Sequence, residues 1–338
     1  DNVPNETAVN DLGPLAWVLD ETRKSLGSAT KSLKRFAYAS ESARGVDLAS
    51  VDASQLRMAR QQLHQVVGAL DMVGQSIAAR MVRGMEAAVQ QFVLHPEKCT
   101  ELAATTLERA GFALVEYLES QLSGRPRSAL GLFPLYNQVQ EMAGTERVAP
   151  SELWEGGWRW VEVPAPVAAQ PLAYDLSVRG RFDQRVLKIM RHGDANAAME
   201  LSVVCLGLGD GEASRRAAVF WRLAAGFFEA LGAGYLKMDV HAKRAASGVL
   251  MQYSSLAQGD PSLSERLARD LLFFCALARV PGDAPTPTPT PALVAVRQAW
   301  GLGSQAAGSY DEQSFGLYDP AALAQARRRV ESVKESWS

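Results

Sequence analysis

Cysteine is scarce in this sequence of 338 residues. Only Cys99, Cys205 and Cys275 occur, far apart and without the paired Cys or Cys/His spacing of a zinc or redox motif. A disulfide or zinc framework is therefore excluded as the main source of stability, and this cysteine usage favours a reducing compartment. We expect a cytoplasmic protein with no metal site and no cofactor.

Neither an excess of positive charge nor a long apolar run is present. Lysine and arginine number 35 against 37 aspartate and glutamate, for a net charge of -2, whereas a nucleic-acid binder needs a basic excess to displace counterions. The longest apolar stretch, Ala217–Leu236, is interrupted by Arg222 and Glu229 and falls short of the ~20 apolar residues of a membrane-spanning helix. We therefore expect no nucleic-acid partner and no membrane insertion.

The first residues show no signal-peptide pattern. Asp1 stands where an initiator methionine would, and no basic segment followed by an apolar core comes after it. We expect the sequence to be a piece of a longer protein.

Alanine is abundant, and apolar residues such as Leu19, Leu26 and Leu33 recur at helical spacing, where a sheet protein would carry Val, Ile and Thr. The pattern predicts an all-α fold with two helical lobes. Short polar connections between four long helices in residues 11–125 predict an up-and-down four-helix bundle. The four predicted helices are Leu12–Ala43, Ala53–Val73, Ile77–Leu94 and Glu97–Ser123.

The rest of the chain divides by composition. Large aromatic rings, among them Trp158 and Trp160, are costly to leave in water, so the connector that carries them should pack down. The predicted segments are a Trp/Pro-rich connector at 126–175, a second helical lobe at 176–280, a Pro/Thr spacer at 281–291 and docking helices at 292–338. The docking helices should bury Val294, Trp300, Leu323 and Val330.

One histidine has a spacing that points to chemistry. His64, on the second predicted helix, is followed by Gly68 and then by Gly74. A phosphorylatable imidazole must project from a rigid helix, and a small residue one turn later lets another protein approach. The spacing resembles that of histidine phosphotransfer (HPt) domains, whose signature is His-x-x-Lys-Gly, except that Val67 replaces the lysine that balances phosphoryl charge.

The same helix supplies a candidate partner-binding surface. Arg57 and Arg60 share the helical face of His64 and offer substitute positive charge. The candidate partner-binding residues are Arg57, Arg60, Gln61, His64, Gln65, Val67 and Gly68. Three interpretations stay open at this point: a helix-packing contact, a docking surface that carries no phosphate, and active phosphotransfer with His64 as the catalytic phosphoacceptor.

Longer stretches carry a wider resemblance. They look like the N-terminal region of ChpA/PilL-type hybrid histidine kinases, the CheA-like kinases of type IV pilus chemosensory systems, and FimL-type scaffold proteins resemble the same region. The stretches that carry it are Asp11–Glu21, Ala59–Leu70, Phe220–Glu229, Lys243–Ser247 and Glu265–Phe274.

The resemblance implies a cytoplasmic two-component signalling protein that controls twitching motility. Implied partners are response-regulator receiver domains or pilus scaffold proteins, together with other domains of the parent kinase. No ATP-lid sequence and no acidic receiver pocket occur in this sequence, so we expect the segment itself to be non-catalytic.

Three other features receive plainer interpretations. His241, with Arg244 and Ala245 after it, resembles a degenerate second phosphotransfer helix but reads as an ordinary helix histidine. Gly207–Gly211 has no preceding strand and no Walker lysine, which favours a turn between helices. The basic run Arg327–Arg329 is typical of a solvated helix face.

Overall fold

The computed structural model describes residues 13–43, 52–281, 287–303 and 308–337. Every regular element in this part of the chain is helical and none is a strand, which confirms the all-α prediction. Its α-helices are α1 (Gly13–Ser42), α2 (Ser54–Met72), α3 (Ser76–Leu94), α4 (Glu101–Leu122), α5 (Phe133–Met142), α6 (Leu176–His192), α7 (Ala195–Gly211), α8 (Arg215–Gly232), α9 (Val240–Ala257), α10 (Glu265–Leu277), α11 (Pro291–Ala299) and α12 (Pro320–Trp337).

The chain divides into two compact units. Unit 1 consists of Asp1–Glu155 together with Ser309–Ser338, and unit 2 is Gly156–Gly308. The structure thus differs from the sequence-based segments, because it divides the expected connector 126–175 between the units. The first part of that connector forms α5, whose Phe133, Leu135, Tyr136 and Val139 are buried in unit 1.

Unit 1 is built around the four long helices α1 to α4. Helix α1 packs against α2 and α4, and α2 packs against α3, while α5 packs against both α3 and α4. Gly84 lets α5 approach α3 closely, since a Cβ at this position would lie 2.9 Å from Nε2 of Gln140. The sequence pattern did not predict this fifth helix, which packs against two of the four long helices.

A short segment around Phe315 packs against α4. The Phe315 side chain is fully buried, with its ring edge-on to Tyr117 at 5.7 Å and the Arg127 guanidinium 4.1 Å from its centroid. Glu116 accepts hydrogen bonds from the Gly316 amide and from Arg127, each at 2.9 Å. Phe315 therefore anchors this part of the chain to unit 1.

The predicted docking of 292–338 takes a different form. Leu323 and Val330 of α12 are 41% and 56% exposed, and Val294 of α11 is also exposed. Helix α11 instead buries Leu293 and Val296 within unit 2. The buried stripe of α11, which packs against α8, contains Leu293 and not its neighbour Val294, which the sequence pattern had placed in it.

Unit 2 is organised around the antiparallel pair α7 and α8. Nearly all of α8 is buried, because α7, α10 and α11 pack around it. Aromatic rings fill the interior: Phe182 stacks on Tyr253 with centroids 5.1 Å apart, and the Trp221 indole N–H donates to the Tyr174 hydroxyl at 2.8 Å.

An extended stretch of the connector is bound across α7 and α8. The Arg222 guanidinium donates to the Val163 carbonyl at 2.6 Å and contacts Asp210 at 3.3 Å. The Leu172 amide donates to the Gly207 carbonyl at 2.9 Å, and a Cβ on Gly211 would lie 2.1 Å from the Leu172 carbonyl oxygen. Gly207–Gly211 is therefore not the expected turn but the last turn of α7, where glycine admits the connector backbone.

Helix α11 is fixed at both ends by side chains. Glu229, which is buried, accepts a hydrogen bond from the Leu293 amide at 2.8 Å in the first turn of α11. Arg297 donates to the carbonyls of Cys275 and Ala278 at the end of α10. Burial raises the pKa of Glu229 to about 7, although the backbone amides of Leu293 and Ala292 lower it in part.

The described part of the chain contains no helix with the length and apolar content that a membrane span requires.

Candidate functional site

The candidate surface lies on the outer side of α2. An apolar stripe at Leu56, Leu63 and Leu70 turns this helix inward, and the opposite side consequently faces solvent. Six of the seven predicted site residues are exposed there, and together they form what we call the His64 face: Arg57, Arg60, Gln61, His64, Gln65 and Gly68.

Val67 is the predicted residue that does not belong to this face. Its side chain is only 7% exposed, because it lies four residues after Leu63 in the buried stripe of α2. The prediction that Val67 contacts a partner is corrected on this point. The position that carries a lysine in the HPt signature is therefore a packing position in this helix.

His64 stands clear of the bundle and touches an acidic residue of α3. Its side chain is 74% exposed, and Nδ1 lies 3.2 Å from Oε1 of Glu86, whose own side chain is 18% exposed. Arg60 reaches the same carboxylate, with Nε 3.8 Å from Oε1. When Nδ1 carries the proton and donates it to Glu86, Nε2 keeps its lone pair. The contact can thus orient the ring and leave one nitrogen available for chemistry.

Gly68 leaves the backbone bare one helical turn beyond His64. A Cβ built at this position would meet no atom within 4 Å, so no packing contact requires glycine here. Since glycine costs about 1 kcal/mol relative to alanine inside a helix, the residue weakens α2 without any internal compensation. What it does provide is close access for another molecule to the backbone beside the imidazole.

Two arginines of α3, Arg80 and Arg83, interact with residues other than His64. Arg83 pairs with Asp71 of α2. Arg80 acts on Tyr136 of α5, where its charge lowers a pKa that burial and the hydrogen bond to Glu152 raise. The cation that shares the carboxylate with His64 is Arg60.

Glu86 is the residue of this site that the motif did not reveal. A signal was available, because His64 and Glu86 each lie eleven residues from Gln75, in the turn that joins α2 to α3. Two antiparallel helices joined by a tight turn bring such equidistant residues side by side.

His241 occupies a different environment in unit 2. It lies in the first turn of α9, next to the N-cap Asp239, whose carboxylate accepts from the His241 amide at 3.0 Å. Burial lowers the pKa of His241, although the charge of Asp239 opposes this shift. Ala245 is only 6% exposed, so this helix presents no bare surface one turn after its histidine.

The fold and the His64 face together define a helical, two-unit protein with a histidine-centred surface. Residues 167–313, less than half of the chain, match the family model of the FimL scaffold protein second domain. This match falls almost wholly within unit 2 and does not include the His64 face. No curated protein and no solved structure shows a match to the chain.

Proposed function

We propose that this chain is a regulatory docking segment of a chemosensory signalling protein, in which the His64 face binds a response-regulator receiver domain. The similarity of residues 167–313 to a scaffold-protein domain supports a role in assembling signalling proteins. The parent protein under this proposal is a CheA-like hybrid histidine kinase of a type IV pilus system, acting in the cytoplasm and controlling twitching motility.

The observation that carries the proposal is the bare backbone at Gly68 beside an exposed imidazole. Arg57 and Arg60 lie exposed on the same face, and a receiver domain presents acidic residues around its phosphorylation site. Opposite charges steer such an encounter and set its register. Because the face needs no phosphoryl group for this contact, the burial of Val67 does not weaken the proposal.

Steric blockage of the face is the sharpest test. We expect Gly68→Arg to abolish binding of receiver domains from the same pathway, measured by titration calorimetry on the full chain. Gly27→Arg is the matched control, since Gly27 of α1 also has no atom within 4 Å of an added Cβ and both sites accept a side chain without repacking. Unchanged affinity of Gly68→Arg would sink the proposal.

Charge reversal gives an independent test. Arg60→Glu should weaken receiver binding about tenfold and reduce its dependence on salt. Lys31→Glu, which makes the same charge change at an exposed position of α1, should leave the affinity unchanged. Equal losses in the two variants would mean that overall charge, not this face, controls binding.

Phosphotransfer is the second candidate, and the contact between His64 and Glu86 favours it. In this reaction Nε2 of His64 attacks the phosphorus of a receiver aspartyl phosphate. The N–P bond forms, the acyl-phosphate P–O bond breaks, and the aspartate leaves as a carboxylate. The proton stays on Nδ1, where Glu86 accepts its hydrogen bond.

Incubation of the full chain with phosphorylated receiver domains separates the two candidates. Docking alone predicts binding without acid-labile label on the chain. Label that appears within minutes, is absent in His64→Gln and forms more slowly in Glu86→Gln would replace the docking proposal with phosphotransfer. His64→Gln keeps the exposed position polar, so its folding is not in question.

A further inference from the structure

Helix α12 is a second exposed surface, distinct from the His64 face and from the region that matches a known family. It is 18 residues long, and Leu323, Val330 and Val333 are 41%, 56% and 57% exposed. An isolated helix of this length is marginal in water, and most protein helices are stabilised by packing of an apolar face. Helix α12 therefore has such a face without a packing partner among the described residues.

The apolar residues of α12 follow a heptad pattern. Leu323, Ala326, Val330 and Val333 are separated by three, four and three residues, which are the a, d, a and d positions of a coiled coil. The stripe is narrow and consists of small or β-branched side chains apart from Leu323. Such a stripe matches the seam of a two-helix coiled coil.

Positive charge lies on both sides of this seam. Arg327 and Lys334 occupy e positions, and Arg329 occupies a g position, where coiled-coil partners form their interhelical ion pairs. In a parallel pair of two copies, Arg329 would face Lys334 of the second copy. In an antiparallel pair, the e positions of one copy, Arg327 and Lys334, would face the e positions of the other. Both arrangements place positive charges together, so a second copy of α12 is disfavoured as the partner.

We propose that α12 forms a short coiled coil with a partner helix whose e and g positions are acidic. A helix that lies in a membrane interface buries a broad face rich in Trp, Phe and Leu, whereas the seam between positions 323 and 333 is narrow and offers one leucine, one alanine and two valines. The narrow seam thus favours a protein helix over a lipid surface, and the positive charges beside it favour an acidic helix.

The probe is a synthetic peptide of three heptads with Leu at a and d and Glu at e and g, compared with a twin that carries Lys at e and g. By fluorescence anisotropy on the full chain, the acidic peptide should bind at least about tenfold more tightly than its twin. Val330→Asp should weaken this binding about tenfold or more, because it places a charge in the seam.

Charge variants test the role of the flanks. The combined change Arg327→Glu, Arg329→Glu and Lys334→Glu should reverse the preference, so that the basic peptide binds more tightly. Arg328→Glu is the matched control, since position 328 is an f position on the side of the helix opposite the seam, and it should leave the preference unchanged. All of these positions are exposed, so loss of the fold does not confuse the result.

Three results would overturn the proposal. The first is equal binding of the two peptides, and the second is an unaltered affinity in Val330→Asp. The third is evidence that something else occupies the seam. This would be tighter binding of the chain to vesicles of equal parts phosphatidylglycerol and phosphatidylcholine than to the acidic peptide. It would equally be a dimer of the chain, detected by sedimentation, that Val330→Asp dissociates.

Discussion

Helices α2 and α9 each carry a histidine followed by a small residue one turn later, and the two units use these helices in opposite ways. In α2, His64 is 74% exposed and Gly68 has open space around it. In α9, burial lowers the pKa of His241, and Ala245 is only 6% exposed. The position one turn after the histidine is therefore exposed in α2 and buried in α9.

The difference comes from the phase of the apolar stripe. In α9 the stripe contains Ala245 together with Ala242 and Val249, so the residue four positions after the histidine is packed inside. In α2 the stripe contains Val67 but not Gly68. A histidine spacing therefore indicates a docking surface only when the residue one turn later falls outside the buried stripe.

The largest expected effect comes from placing an arginine at each of the two small residues. Ala245→Arg should destabilise unit 2 by at least ~3 kcal/mol, because it forces a charge into a packed interior. Gly68→Arg should leave unit 1 as stable as before or slightly more stable. Hydrogen exchange in peptides of each unit measures both changes, and a normal exchange pattern in Ala245→Arg would contradict the proposed contrast.

A buried carboxylate of unit 2 provides the next largest effect. The pKa of Glu229 is raised from 4.5 to about 7 in the folded chain, so the folded state keeps this proton when the unfolded chain has lost it. The protonated carboxyl therefore contributes its full stability to the fold below pH 4.5. This contribution is lost as the pH rises from 4.5 towards 7, and the free energy of unfolding falls by about 3 kcal/mol at most. Glu229→Gln stays neutral and can accept the same amide hydrogen bonds.

The measurement is hydrogen exchange of α11 between pH 4 and 8, corrected for the intrinsic pH dependence of exchange. We expect protection in the parent protein to fall with rising pH relative to that in Glu229→Gln. Parallel curves for the two proteins would show that Glu229 does not titrate in this range.

The sequence allowed the fold class to be predicted, because apolar residues that recur every three or four positions are typical of helices. It left open whether His64 is an exposed residue or a helix-packing contact. It did not reveal α5, since Phe133, Leu135 and Tyr136 occur in a stretch whose Pro, Gly and aromatic content favours a connector. It also did not reveal the burial of Val67. Residues three and four positions after His64 lie on neighbouring faces of the helix, and the packing of α1 and α3 against α2 decides which of them is covered.

Close helix packing in unit 2 gives a smaller effect. A Cβ on Gly232 of α8 would lie 2.9 Å from the Met199 amide nitrogen and 3.1 Å from the Ala195 carbonyl oxygen. Because backbone atoms of α7 cannot move aside easily, Gly232→Ala should cost about 1–3 kcal/mol. Two-state thermal unfolding is not expected of a chain with two compact units, so exchange in α7 and α8 is the suitable readout. Unchanged protection there would mean that the helices can separate freely.

Gly68→Ala gives the smallest effect and the finest distinction. An added methyl group meets no atom within 4 Å, so the change should stabilise unit 1 by up to about 1 kcal/mol through helix propensity alone. If the glycine serves access to the backbone beside His64, the same methyl group should weaken receiver binding by only a few-fold, whereas Gly68→Arg abolishes it. A graded loss from glycine through alanine to arginine, with rising or constant stability, indicates that α2 gives up helix stability at this position for access by a partner. If the affinity for receiver domains is the same with glycine, alanine and arginine at position 68, Gly68 has no role in docking. Helix α2 would then differ from α9 in exposure but not in function.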